Sequence, residues 1–260
     1  MKTFKLNNQN LKCGKGFVFL CCIIQFLLFA MLITGCKKNE EATAAQETST
    51  ITDIDGNIYK TVKIGNQWWM AENLNVKKYR NGHFIKLSQD SAAWADTVGS
   101  YCLYPSVPSV HPPGLLYNWS AVTSPDNIAP EGWHVPSDDE WKELEKSIGM
   151  DATDADKSGW RGTDEGEKLK ISSSSSEQGW TSYAGIWSTN ESGFTALGGS
   201  CRLYNGTFGY LGLQATGFWW TTSSHSDDEA WYRYLDYKSA GVFRSHCDKN
   251  YGCSIRCVKD

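Results

Sequence analysis

Asp154, Asp156, Ser158 and Glu165 place oxygen donors at positions 1, 3, 5 and 12 of a twelve-residue stretch with Gly159 at position 6. That is the ligand spacing of an EF-hand calcium loop, in which the glycine makes the sharp turn. Against it, Arg161 stands at the usually apolar position 8 and no amphipathic helix follows Glu165. A solvated Gly/Asp-rich loop is the competing reading. Five cysteines, Cys102, Cys201, Cys247, Cys253 and Cys257, lie in the C-terminal two-thirds of the chain. In an exported protein such thiols tend to pair, but an odd number leaves at least one over. No C-x2-C pair offers a zinc site. The five histidines are scattered, and His134, within an aromatic helix-entry motif, reads as a hydrogen-bonded structural residue rather than a base. No phosphate-binding glycine loop or nucleophile elbow stands in a suitable context. The remaining chemistry is aromatic. Trp219, Trp220 and Trp231 are candidates for a sugar-stacking platform, with core packing as the alternative. Because strand neighbours point to opposite faces, the Trp219-Trp220 doublet can turn at most one ring outward.

Cys36 carries a different chemistry. Lys2, Lys5, Lys12 and Lys15 precede an apolar run from Phe17 to Ile33, and no acidic residue interrupts it. This is the charged start and apolar middle of a secretory signal. The closing Leu32-Ile33-Thr34-Gly35-Cys36 resembles the lipobox of bacterial lipoproteins, which implies cleavage before Cys36 and a lipid on its thiol. An uncleaved membrane span is the alternative, since the run is nearly long enough. Each buried CH₂ of an acyl chain adds about 0.8 kcal/mol, so several chains hold a protein to a bilayer durably. Lys37-Lys38-Asn39-Glu40-Glu41 resembles the Lys-then-acid export signal of Bacteroidota surface lipoproteins, and reads equally as the start of a solvated linker. The expected organisation is a signal peptide over 1–35, a lipidated Cys and flexible tether over 36–50, and one domain over 51–260. The expected location is the outer membrane, facing the cell exterior.

The domain must position these groups. The chain has a formal charge of −4, and the signal segment contributes four of its lysines, so the remainder is more acidic still. Such a chain is ill suited to nucleic acid, where Lys and Arg neutralise phosphate. None of the 12 Trp or 12 Tyr precedes residue 51, so this part can bury a substantial core. Alternation around Asp55-Gly56 predicts a hairpin, and Gln67 to Met70 a third strand. Ser137 with Glu140 predicts a capping box, and Trp141, Leu144 and Ile148 form one apolar stripe that Gly149 ends. A short helix is expected within 89–95, and Ser172 to Ser176 reads as a loop. Strand-like segments return near 217–223, 230–235, 241–244 and 253–258. The fold class is α+β, loop-rich, with the two ends of the domain paired in one sheet.

Several stretches together resemble the Fibrobacter succinogenes major paralogous domain family. They include Trp69-Met70-Ala71-Glu72-Asn73-Leu74, Leu116-Tyr117-Asn118-Trp119, Gly132-Trp133-His134-Val135-Pro136-Ser137, Phe218-Trp219-Trp220-Thr221-Thr222-Ser223 and Ile255-Arg256-Cys257-Val258. Relatives in that family often carry a Cys where this chain has Ala129, which implies a lost partner for Cys257. More distantly, Trp133 to Trp141 is similar to the helix entry of the formylglycine-generating enzymes, which implies a C-type-lectin-like fold. Those enzymes hold copper with a C-x4-C pair, but here Val242 stands five residues before Cys247, so the copper chemistry does not carry over. The resulting expectation is a lipid-anchored, non-catalytic binding or structural module for a glycan or protein ligand. The alternative is a divergent enzyme acting on surface polysaccharide.

Overall fold

The computed structural model describes residues 46–94, 98–104, 114–172, 179–209 and 214–260. Cys36 lies outside them, as do the signal segment, most of the tether and residues 173–176 of the serine run. No helix among the described residues is long and apolar enough to cross a membrane. Strand outweighs helix, and long irregular segments join the elements, so the coarse class is loop-rich α+β.

The first sheet begins with β1 (Thr48–Thr52), β2 (Ile58–Ile64) and β3 (Gln67–Met70). β1 thus starts inside the segment whose composition reads as tether. Its hairpin turn is an Asp-Gly turn: Asp53 Oδ1 accepts from the backbone N–H groups of Asp55 and Asn57, both at 2.9 Å. Gly56 supplies the positive φ of +84° that a side chain would resist. Buried Tyr59 donates to Asp53 Oδ2 at 2.6 Å, locking the turn to the core. The last strand, β12 (Val258–Lys259), inserts between β3 and β7 (Trp133–His134), giving the order β1-β2-β3-β12-β7. The two ends of the domain therefore share a sheet, as the sequence pattern predicts. A small second sheet joins β4 (Lys86–Leu87), β5 (Ser100–Cys102) and β6 (Leu116–Tyr117), with the short helices α1 (Ser91–Trp94) and α2 (Trp119–Val122) beside them in sequence.

The main helix, α3 (Asp138–Ser147), starts at the predicted capping box: Glu140 N–H donates to Ser137 Oγ and Ser137 N–H to Glu140 Oε2. Gly149, at φ +124°, follows its end. Helices α4 (Ala152–Ala155) and α5 (Glu165–Leu169) flank the short strand β8 (Gly159–Arg161). β8 is the edge of the third sheet, whose other members are β9 (Thr216–Ser224), β10 (Glu229–Asp236) and β11 (Val242–Asp248), in the order β8-β11-β10-β9 and antiparallel throughout.

Alternation along these strands divides the core. Trp219 joins Trp69, Trp141 and Phe194 in a fully buried aromatic group against α3, with centroids 5.1 Å apart for Trp69–Trp141 and 6.5 Å for Trp141–Trp219. Trp220 points the other way, into a second core with Tyr117, Ile255 and Cys253. Each indole N–H is satisfied, Trp219 by Asn73 Oδ1 at 2.9 Å and Trp220 by the Tyr117 carbonyl at 2.8 Å. Both rings of the doublet are thus core, and the platform role expected for them falls away: each face of the sheet at this point is covered by its own core.

Candidate functional site: an aromatic row on the third sheet

The open aromatic surface lies two residues from the buried Trp220, on the same face. Phe218 on β9 is the register partner of Tyr234 on β10; Tyr234 is that of Phe243 on β11, and Phe243 that of Trp160 on β8. Four side chains therefore stand in one cross-strand row over the full width of the sheet. Ring centroids are 4.7 Å apart for Phe218–Tyr234, 5.8 Å for Tyr234–Phe243 and 5.2 Å for Phe243–Trp160. The strand spacing of about 4.8 Å sets the register partners side by side. The Trp160 ring also lies 5.5 Å from that of Tyr234, so its indole folds back over the Tyr234–Phe243 pair, and the three rings form a triangle with Phe218 on its flank. Trp160 is 47% exposed and the other three are half-buried. At one end the row continues into core through Tyr232, stacked on Phe218 at 6.0 Å. Tyr234 also donates its hydroxyl to Asp236 Oδ2. Burial, and then that carboxylate, hold the Tyr234 phenol well above its ordinary pKa, so it stays a neutral donor. A compact apolar cluster, its rings tilted by 31° to 89° to one another, is thereby fixed in place with a hydroxyl–carboxylate pair at its margin.

The opposite face fixes it. Arg161, Arg233 and Arg244, from β8, β10 and β11, all turn toward α3, where Asp138 and Glu145 meet them. Glu145, fully buried, accepts from Arg161 Nη1 at 2.9 Å, Arg161 Nη2 at 2.8 Å and Arg233 Nε at 2.6 Å. Asp138 accepts from Arg233 Nη1 and Arg244 Nη2, both at 2.7 Å. Burial pushes the Asp138 pKa up, but the hydrogen bond from Arg244 and the charge of Arg233 outweigh it and hold the carboxyl well below the usual range. Arg161 and Trp160 are consecutive, so one short strand delivers a guanidinium to the clamp and an indole to the open row. Sequence reading missed both halves. The signals were present: Asp138 and Glu145 interrupt the helix face that carries Trp141 and Leu144, and Phe218, Tyr234 and Phe243 alternate with buried neighbours.

The other expected site residues are not brought together as a calcium site. Asp154 lies on α4 with its Oδ1 2.5 Å from Lys157 Nζ, and Asp156 Oδ1 is 2.8 Å from Lys142 Nζ. Glu165 is buried and folds back, its Oε2 accepting from the Thr163 N–H at 2.7 Å and the Asp164 N–H at 3.2 Å. Ser158 stands exposed just before β8. The carboxylates that would converge on calcium are spent on three separate local contacts. Trp231, the third aromatic candidate, is half-buried on the clamp face, with the Arg244 guanidinium 3.7 Å from its ring centroid and the rings of His225 and His246 edge-on to it. It belongs to no open platform. His134 is bonded at both nitrogens, Nδ1 to Asp260 at 2.6 Å and Nε2 to Glu140 at 2.7 Å, a structural tie between β7, α3 and the last residue. The five cysteines among the described residues are free thiols; Cys253 hydrogen-bonds with Cys247, with Cys201 close by.

No curated protein and no solved structure matches the chain. The family model described as the Fibrobacter succinogenes major domain matches residues 62–259, from the second strand of the first sheet to the last strand that closes it. That span takes in every element of the aromatic row and its clamp, and the chain belongs to this family.

Proposed function

We propose that the chain is a bacterial surface lipoprotein whose domain binds glycan on the Phe218–Tyr234–Phe243–Trp160 row. The observation that carries the reading is the row itself: four register-paired aromatic side chains packed as one cluster, one of them 47% exposed, held from behind by the clamp. Sugar rings present apolar C–H faces that stack on aromatic planes, and their hydroxyls need a few fixed polar partners at the margin. Tyr234 and Asp236 supply such a pair. Rigidity adds affinity because little ordering entropy is lost on binding. The C-type-lectin-like fold is retained as part of this reading, supported by the helix-entry resemblance and the loop-rich arrangement of small sheets. Lipidation of Cys36 and display on the outer face of the outer membrane complete it, supported by the signal-like segment and the residues that follow. A non-catalytic role is part of the same proposal.

The test is a glycan array probed with the full chain in detergent, followed by calorimetry on any hit. Wild type should bind a defined set of polysaccharides without shortening them. Trp160→Ala should weaken binding by about 1–2 kcal/mol, roughly five- to thirtyfold, the scale of an aromatic anchor at the edge of an interface. Released sugar would replace the module with an enzyme. Binding indifferent to Trp160→Ala and Tyr234→Ala, or no binding at all, would remove the row from glycan recognition. Protease treatment of intact cells checks the topology: loss of the domain from outside is the expected result.

A further inference from the structure

At the far end of the clamp face, three side chains meet that neither the row nor the clamp uses. His225 follows β9, Glu229 opens β10 and His246 lies on β11. One ligand atom from each lies within 4.8 Å of the other two, and among the described residues no other trio of His, Cys, Asp or Glu does this. The register explains the meeting. Trp231 and His246 are direct cross-strand partners, and Glu229, two residues before Trp231, shares its face and reaches His246 diagonally. The turn carries His225 back over the same face: the N–H groups of His225 and Ser226 both bond the Glu229 carbonyl, at 2.8 and 3.1 Å. Lys249 Nζ braces the turn through the carbonyls of Ser226 and Asp227, at 2.8 and 2.7 Å.

The two imidazoles lie parallel, 12° between planes and 3.8 Å between centroids, and Trp231 stands perpendicular to both. Nδ1 of His246 is buried without a hydrogen bond, although Glu229 Oε2 is 2.9 Å away. The parallel stack directs the ring lone pairs along parallel planes, so a shared ion requires one imidazole to turn out of the stack, and exposed His225 is the ring with room to do so.

We propose that His225, Glu229 and His246 form a three-ligand site for a divalent transition metal of the zinc type. Two imidazoles and one carboxylate are the donor set such ions favour over calcium or magnesium. Tetrahedral zinc, with bonds of about 2.0–2.2 Å, needs ligand atoms roughly 3.3–3.5 Å apart. The three atoms already lie within 4.8 Å, and a turn of the exposed His225 side chain out of the stack brings its lone pair onto the same point as those of His246 and Glu229. His225 is exposed, so the fourth position faces solvent. The bound ion would staple the β9–β10 turn to β11.

The test is calorimetric titration of the full chain, thiols kept reduced, with Zn²⁺, together with X-ray absorption at the zinc edge. The expected result is one site whose first shell contains nitrogen and oxygen and no sulfur. His225→Ala and His246→Ala should each weaken it by at least the roughly tenfold that losing even an outer-shell partner costs, with metal-free melting unchanged for His225→Ala because that residue is exposed. Absence of binding, a sulfur-containing shell, or affinity indifferent to His225→Ala would each overturn the proposal.

Discussion

Replacing Glu145 with Gln changes one atom type in a fully buried site and should be among the most damaging isosteric changes in the chain. Three guanidinium groups share two carboxylates behind the aromatic row, and Glu145 alone accepts three of their hydrogen bonds, at 2.6 to 2.9 Å. The amide keeps one acceptor oxygen, but its NH₂ faces guanidinium N–H groups, donor against donor. It also leaves Arg161 and Arg233, both fully buried at the side chain, with only Asp138 to balance them and Arg244. Removing one member of a buried ion pair costs about 3–5 kcal/mol, because the remaining charge stays desolvated. For a domain of this size each kcal/mol moves Tm by roughly 2–4 °C, so Glu145→Gln should lower Tm by about 6–20 °C in a thermal melt followed by near-UV circular dichroism. Glu143→Gln, two residues away, is the control: its pair with Lys146 is on the surface, where such bridges contribute at most about 1 kcal/mol. If both variants melt within about 2 °C of wild type, the clamp does not hold the helix to the sheet.

Arg161→Lys keeps the charge but loses the planar fork that spans both Glu145 oxygens; it should destabilise less than Glu145→Gln and weaken glycan binding severalfold through Trp160, its chain neighbour, as measured by calorimetry. His134 gives a pH dependence. Burial of the ring works against its charge, but the hydrogen bonds to Asp260 and Glu140 outweigh this and raise its pKa above 6.5. A raised folded pKa means stability fully present below the unfolded value and lost as pH rises through the folded one. The Tm gap between wild type and His134→Asn should therefore be largest near pH 6, with the carboxylates ionised, and close as the solution becomes alkaline; a gap that widens with pH would contradict the assignment. Burial pushes the Cys102 thiol up to about 11 and the Cys201 thiol up to about 12, so alkylation of the native domain at pH 8 should label half-buried Cys247 first, with mass spectrometry counting the adducts.

Local chemistry was legible where one short segment decides the outcome. The capping box at Ser137 and the Asp-Gly turn follow from adjacent side chains bonding their own backbone, and both form as the pattern predicts. The pairing of the last strand into the first sheet was visible from the order of strand-like segments. The site was legible only in kind. Aromatic density pointed to stacking, but Trp219 and Trp220 drew attention as a doublet, and a doublet in a strand between two cores is buried on both sides. Which aromatics stay open depends on register across four strands, and β8, three residues long, carries too little pattern to be recognised as a strand at all. Trp160 was therefore read as part of a calcium-loop match. That match failed for a physical reason: Asp154, Asp156 and Glu165 each find a nearby lysine or backbone N–H that satisfies the carboxylate at no cost in ordering a loop around an ion.

The same register accounts for why the row and the clamp occur together. An antiparallel sheet whose aromatic face is open only toward its β8 edge needs its other face covered, and here the cover is a helix that meets the strands with charge as well as aromatic rings. Apolar contacts alone would let the edge strand β8 slide, since its three residues make few ladder bonds. A bidentate Arg161–Glu145 pair has a direction and a distance, and so fixes the register in which Trp160 stands opposite Phe243. Buried ion pairs are weak sources of stability compared with well-packed apolar groups, so their presence behind the row is better explained by position than by strength. An all-apolar clamp could match the melting temperature of this domain and still misplace the most exposed ring of the row.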